Sequence, residues 1–240
     1  MLILAAGAAL ALIQAADPVA TEFQSNEYHT FTDAEMSLID DVLDATHAEV
    51  EAVFPELADT ISVTVMPVQR PALDALGGVT GRAERPDELI IEVSVTYPGG
   101  IEAAIENGLR ATVAHELHHT VRGWLMQGNH FGHGIQIAVI NEGLATVFAE
   151  ELTGETNPSD LPPANVSDWA LEVLALPQRS DYAQWMFVHP DGREAIGYRT
   201  GRWVVRQAMA NSGLDISELS DLTPAAVWAL AGFDWDRVMR

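Results

Sequence analysis

The stretch VAHELHHTV, residues 113–121, carries the strongest pattern in the chain. His115 and His119 stand four residues apart, with Glu116 directly after the first, which matches H-E-x-x-H. Leu109, Val113, Leu117 and Val121 recur at helical spacing, and Ala111 and Thr112 are small, so the stretch reads as part of a helix. On a helix, residues four apart project from one face, and two imidazoles so placed can bind one Zn²⁺. Glu116 is then within reach of a water on that ion. Histidines of a merely solvated surface would not sit in the middle of an apolar helix, and buried imidazoles without partners are costly. His118 points off the shared face and reads as structural support.

Catalytic zinc takes three protein ligands and leaves one position for water. The chain has no cysteine, so the third ligand must be His, Asp or Glu. Glu142 is the one acidic residue in the apolar stretch 135–149. Its neighbours at helical spacing, Ala138, Ala145, Thr146 and Ala149, are small, which lets a helix over 135–153 approach the first one closely. The expectation is one Zn²⁺ per chain on His115, His119 and Glu142, with Glu116 as general base. Such a site specifies an activated water rather than the bond that is cut.

Working outward, Thr32 and Glu35 form a capping-box pattern ahead of an amphipathic helix over 33–54, stopped by Pro55. Residues 61–66 alternate as a strand, and residues 88–97 alternate more strongly, with Leu89, Ile91, Val93, Val95 and Tyr97 on one face. Gly77, Gly78 and Gly81 mark turns around a short third strand. Pro98-Gly99-Gly100 breaks the chain before a long helix over roughly 101–123. A glycine-containing loop at 123–134 holds His130 and His133, which read as solvent-exposed. After the helix at 135–153 comes a Pro-rich loop, then helical pieces near 168–176, 181–188 and 193–211 and a last one from Thr223-Pro224. The order of helix, small sheet and several helices is an α+β arrangement. No linker divides it further than an acidic helical segment at 17–60 and one domain at 61–240.

His115-Glu116-x-x-His119 followed by Asn141-Glu142-Gly143-Leu144-Ala145 resembles the gluzincin branch of zinc metallopeptidases. More narrowly, HELHHTVR, NEGLATVFAEEL and Gly197-Tyr198-Arg199-Thr200-Gly201 look like a bacterial family of predicted Zn-dependent proteases. The resemblance covers about residues 60–230, with strong motifs at 115–122 and 141–152. It implies a zincin-like fold: a small twisted, mostly antiparallel sheet over the active-site helix, with a helical C-terminal part. It also implies a peptide or protein substrate and a glutamate on the next helix as third ligand. Tyr198 becomes the first choice for a donor to the developing oxyanion, with Arg199, Arg202 and His189 as further oxyanion or substrate contacts. The chain departs from the better-known pattern at Thr146, where many gluzincins carry an acid that orients a zinc histidine.

Composition narrows the rest. The 35 acidic residues outnumber 12 basic ones for a net charge of -23, and all 12 are arginine. Such a field opposes nucleic acid and anionic membranes, so no nucleic-acid partner is expected. Lysine-dependent chemistry is excluded. Residues 1–60 hold 12 of the acidic groups and no basic one. Residues 1–16, MLILAAGAALALIQAA, are too short for a membrane span and resemble the core of a secretory signal peptide, although no Lys or Arg precedes the run. The expectation is an exported protein, periplasmic or secreted, taken as a monomer. Two alternatives stay open: a zinc hydrolase acting on a non-peptide amide or ester, and a non-catalytic zincin-fold binding module.

Overall fold

The computed structural model describes residues 18–234. The signal-peptide reading of residues 1–16 lies outside that range. Four strands form one sheet: β1 (Val19–Phe23), β2 (Ile61–Val68), β3 (Val79–Arg85) and β4 (Glu88–Ser94). Their order is β1-β2-β4-β3. β1 runs parallel to β2 and β2 parallel to β4, while β3 pairs antiparallel with β4. The expectation of a mostly antiparallel sheet is therefore corrected: the sheet is mixed, and only the β3–β4 hairpin is antiparallel.

The cause lies in the connections. Parallel neighbours need a crossover of a dozen or more residues. The crossover between β1 and β2 contains helix α1 (Asp33–Val53), and β1 itself went unread because VATEF is short and sits in the acidic segment. β3 takes the outer edge, so β4 inserts next to β2 and follows its direction. Ile61, Val63 and Val65 on β2 and Leu89, Ile91 and Val93 on β4 are fully buried, as strand alternation requires. β4 ends at Ser94, short of the expected 97, because the chain turns at residues 95–96.

α1 begins in the expected capping box between Thr32 and Glu35 and buries Ile39, Leu43 and Val50. The single helix expected over 101–123 contains an inserted wide turn. α2 (Gly100–Ala104) passes through a π turn at Ile105–Leu109 into α3 (Arg110–Arg122). At that turn a Cβ on Gly108 would lie 2.7 Å from Gly77 O, so only glycine admits this approach of the two backbones.

α4 (Ile135–Thr153) is buried along nearly its whole length and forms the centre of the helical half. Around it lie α5 (Val166–Leu174), α6 (Tyr182–Met186), α7 (Ile196–Ser212), α8 (Ile216–Ser220) and α9 (Pro224–Leu230). α3 lies between sheet and helices, against β3 on one side and α4 on the other. α4 and α7 cross at Gly143 and Gly201, where a Cβ on Gly143 would come within 2.3 Å of the Gly201 carbonyl carbon. One hydrophobic core joins α1, the sheet and these helices. Among the described residues, no helix is long and apolar enough to cross a membrane.

Candidate metal centre

α3 presents His115, Glu116 and His119, and α4 presents Glu142. The His115 and His119 rings meet edge to face, with centroids 4.6 Å apart. Each Nε2 lies 3.2 Å from the same oxygen, Glu142 Oε2. One ligand atom from each of these three residues falls within 4.8 Å of the others. His119 and Glu142 are buried and His115 is partly open. The helix spacing of His115 and His119 and the lone carboxylate of α4 thus meet at one point.

The second oxygen of Glu142 is also engaged. Trp124 Nε1 donates to Oε1 at 3.0 Å, and the Tyr182 hydroxyl donates to it at 3.3 Å. Trp124 is placed by the end of α3. Gly123 closes that helix in the left-handed region, at φ 75°, and both its N–H and that of Trp124 bond to His119 O. A side chain at 123 would also strike the His130 ring.

Glu116 projects toward β3. Gly81 faces it, and the backbone N–H of Ala83 hydrogen-bonds its carboxylate. Burial raises the Glu116 pKa and the charge of Glu142 adds to this, against the opposing pull of His115 and His119. For Glu142, burial works upward as well. The charge of His119 and the hydrogen bonds from both imidazoles outweigh it and hold the carboxyl well below its usual range. Burial disfavours the charged form of His115, but its bond to Glu142 and the charges of Glu116 and Glu142 prevail and raise its pKa.

The donor set suits zinc, since two imidazole nitrogens and a carboxylate oxygen are ligands it accepts and no thiolate is needed. His119 Nδ1 is buried with no hydrogen-bond partner among the described residues. Its ring is packed between those of His115 and His118 instead. Thr146, the position of the missing acid, is buried on α4.

The other candidates fall in different places. Tyr198, on α7, interacts through its hydroxyl with Tyr182, and burial together with the charge of Glu142 raises its pKa well above 10. It therefore stands beside the cluster. Arg199 Nε donates to Ser159 O at 2.7 Å, and Arg202 Nε to Glu150 Oε1 at 2.6 Å. His189 Nδ1 pairs with Asp191 at 2.8 Å, and its ring packs on Trp185. These bonds join none of the three to His115, Glu116, His119 or Glu142. His118 is fully buried, bonded to Ser220 Oγ at 2.8 Å and packed against Phe54 and Phe148, which is the structural place expected of it. His130 and His133 are exposed.

Three contributors had not been read from the sequence. Trp124 had a signal, because it directly follows the glycine that ends the H-E-x-x-H helix. Tyr182 and Asp160 had none, since short segments far along the chain bring them near. Asp160 lies close enough to His115 for their charges to interact, and burial raises its pKa. Asn141 and Arg122 explain one another. Arg122 Nε donates to Asn141 Oδ1 at 2.5 Å, and its other nitrogens reach Ser220 O and Leu222 O. Burial pulls this guanidinium down to about 10.

Among curated proteins and solved structures, none matches the chain. A family model described as predicted Zn-dependent protease matches residues 39–229, which include both helices of the cluster. That span is well over half of the chain, and the protein belongs to this predicted Zn-dependent protease family, DUF2268.

Proposed function

We propose that the protein is a zinc metallopeptidase of gluzincin type on a zincin-like fold, with one Zn²⁺ per chain held by His115, His119 and Glu142. The observation that carries the reading is the shared oxygen: two imidazole nitrogens from one helix each 3.2 Å from Glu142 Oε2 on the next. The family's description as a predicted Zn-dependent protease supports the same reading. Zinc in such a site acts as a Lewis acid and lowers the pKa of water to about 7.

The chain's own groups supply the rest. Glu116 takes the proton of the attacking water on its carboxylate and later gives it to the leaving amine nitrogen. The Ala83 N–H and the apposed Gly81 hold Glu116 in place for both transfers. Tyr198 and Tyr182, whose raised pKa values keep them protonated at neutral pH, present hydroxyl donors beside the cluster. Tyr198 donates to the carbonyl oxygen of the scissile peptide as negative charge develops there. Arg199, Arg202 and His189 are the further groups proposed to contact the substrate, and the first two are bonded to Ser159 O and Glu150. Export rests on the apolar run 1–16 alone.

The test is cleavage of casein and of a mixed peptide library by the purified chain. The reading expects hydrolysis that a chelator stops and added zinc restores. Hydrolysis of esters or non-peptide amides, with none of peptides, would reassign the substrate. Zinc binding with no hydrolysis of any of these would make the chain a binding module.

A further inference from the structure

Glu142 is a buried carboxylate whose two oxygens face different partners. Oε2 meets both imidazoles, while Oε1 takes the Trp124 indole N–H at 3.0 Å and the Tyr182 hydroxyl at 3.3 Å. An indole nitrogen is a donor only and is no metal ligand, so Trp124 can serve this site in one way, through the carboxylate. Trp124 is braced by its own backbone N–H on the carbonyl of His119, 3.0 Å away. One residue therefore ties a histidine of α3 to the glutamate of α4. Tyr182 approaches the same oxygen from α6 and is about 40% exposed.

We infer that Trp124 and Tyr182 are positioning residues of the metal centre, which hold Oε1 of Glu142 and so present Oε2 alone to the ion. The inference rests on the zinc-site reading above. Two donors on Oε1 disfavour a carboxylate that binds through both oxygens, and this keeps a coordination position open. They also do from the glutamate side what an acid at position 146 would do from the histidine side.

The experiment is metal binding by the full chain, as the parent, Trp124→Phe, Tyr182→Phe and the double variant. Zinc affinity is read by chelator competition and coordination by the visible spectrum of the Co²⁺ form. Partners of this kind are worth about 10–100-fold in metal affinity, so Trp124→Phe is expected to lose at least about tenfold. Tyr182→Phe, with its longer bond and greater exposure, loses less. The double variant loses the most, and its Co²⁺ absorption weakens as Oε1 turns to the metal and the coordination number rises. Thermal unfolding of the metal-free forms separates lost affinity from lost fold, and Tyr182→Phe, at an exposed ring, keeps the test open where Trp124→Phe fails to fold. Variants that bind zinc as tightly as the parent, with an unchanged Co²⁺ spectrum, overturn the inference. A parent that binds no zinc overturns the zinc-site reading on which it stands.

Discussion

Gly81 on β3 lies so close to Glu116 on α3 that a Cβ at 81 would sit 2.7 Å from Glu116 Cγ and 3.0 Å from Ile91 Cδ1. The proposed base is thus packed against the edge strand of the sheet and bonded to the same strand at Ala83. Gly81→Ala is expected to push Glu116 aside and leave His115, His119 and Glu142 in place. Misplacement by about 1 Å can cost about 10²-fold in rate, so kcat should fall by that order while zinc content stays at the parent level. Steady-state kinetics with metal analysis checks this. An alanine variant with full activity would show that the contact does not position the base.

A second glycine contact acts on stability. A Cβ on Gly201 would lie 2.0 Å from Val139 O, and one on Gly143 would lie within 2.3 Å of Gly201. Both clashes are with backbone, so no side chain can turn away to relieve them. Overpacking costs roughly 1–3 kcal/mol and more where the backbone must move, and Gly201→Ala should stand at or above the upper end. Urea unfolding should show a lower midpoint with the slope unchanged. An unchanged midpoint would mean that α4 and α7 do not cross this tightly.

Glu35 gives a pH dependence away from the site. Burial raises its pKa, but the N–H and hydroxyl of Thr32 and the ring of His29, 2.9 Å from Oε2, outweigh this and lower it. A carboxyl depressed in the folded state contributes stability above its unfolded pKa of about 4.3, and loses it as pH falls through the folded value. Glu35→Gln keeps the capping pattern but loses the charge, and should therefore cost about 0.3–1 kcal/mol at pH 7, the usual worth of a carboxylate in the first turn of a helix. The cost should shrink below about pH 4, as the carboxyl of the parent takes up its proton. Unfolding of both proteins across that range tests it, and a difference constant with pH would contradict the assignment.

Much of the site was legible because its signals are local. The spacing of His115 and His119, and one carboxylate in the apolar run of α4, follow from helical periodicity, and the structure brings them together. The α+β order and the positions of α1, α4, β2 and β4 were readable for the same reason. What was missed is long-range. The parallel direction of β4 depends on β3 taking the sheet edge, which no periodicity records. The π turn at 105–109 reflects the approach of Gly77 to Gly108, two residues from separate elements. Tyr182 reaches Glu142 across 40 residues from a five-residue helix. Gly197 and Gly201, singled out with Tyr198 by resemblance, have a packing role: Gly197 makes room for Met186, and Gly201 lets α7 onto α4.

The central claim is that three residues hold zinc while Glu116 moves the proton, and Glu116→Gln separates those tasks most directly. Metal analysis and peptide hydrolysis are measured on the same preparation. The account predicts one zinc per chain in parent and variant alike, with hydrolysis by the variant reduced by about 10²–10⁴-fold, the usual contribution of a general base. A glutamine variant that carries the same zinc and cleaves peptide as fast as the parent would contradict it.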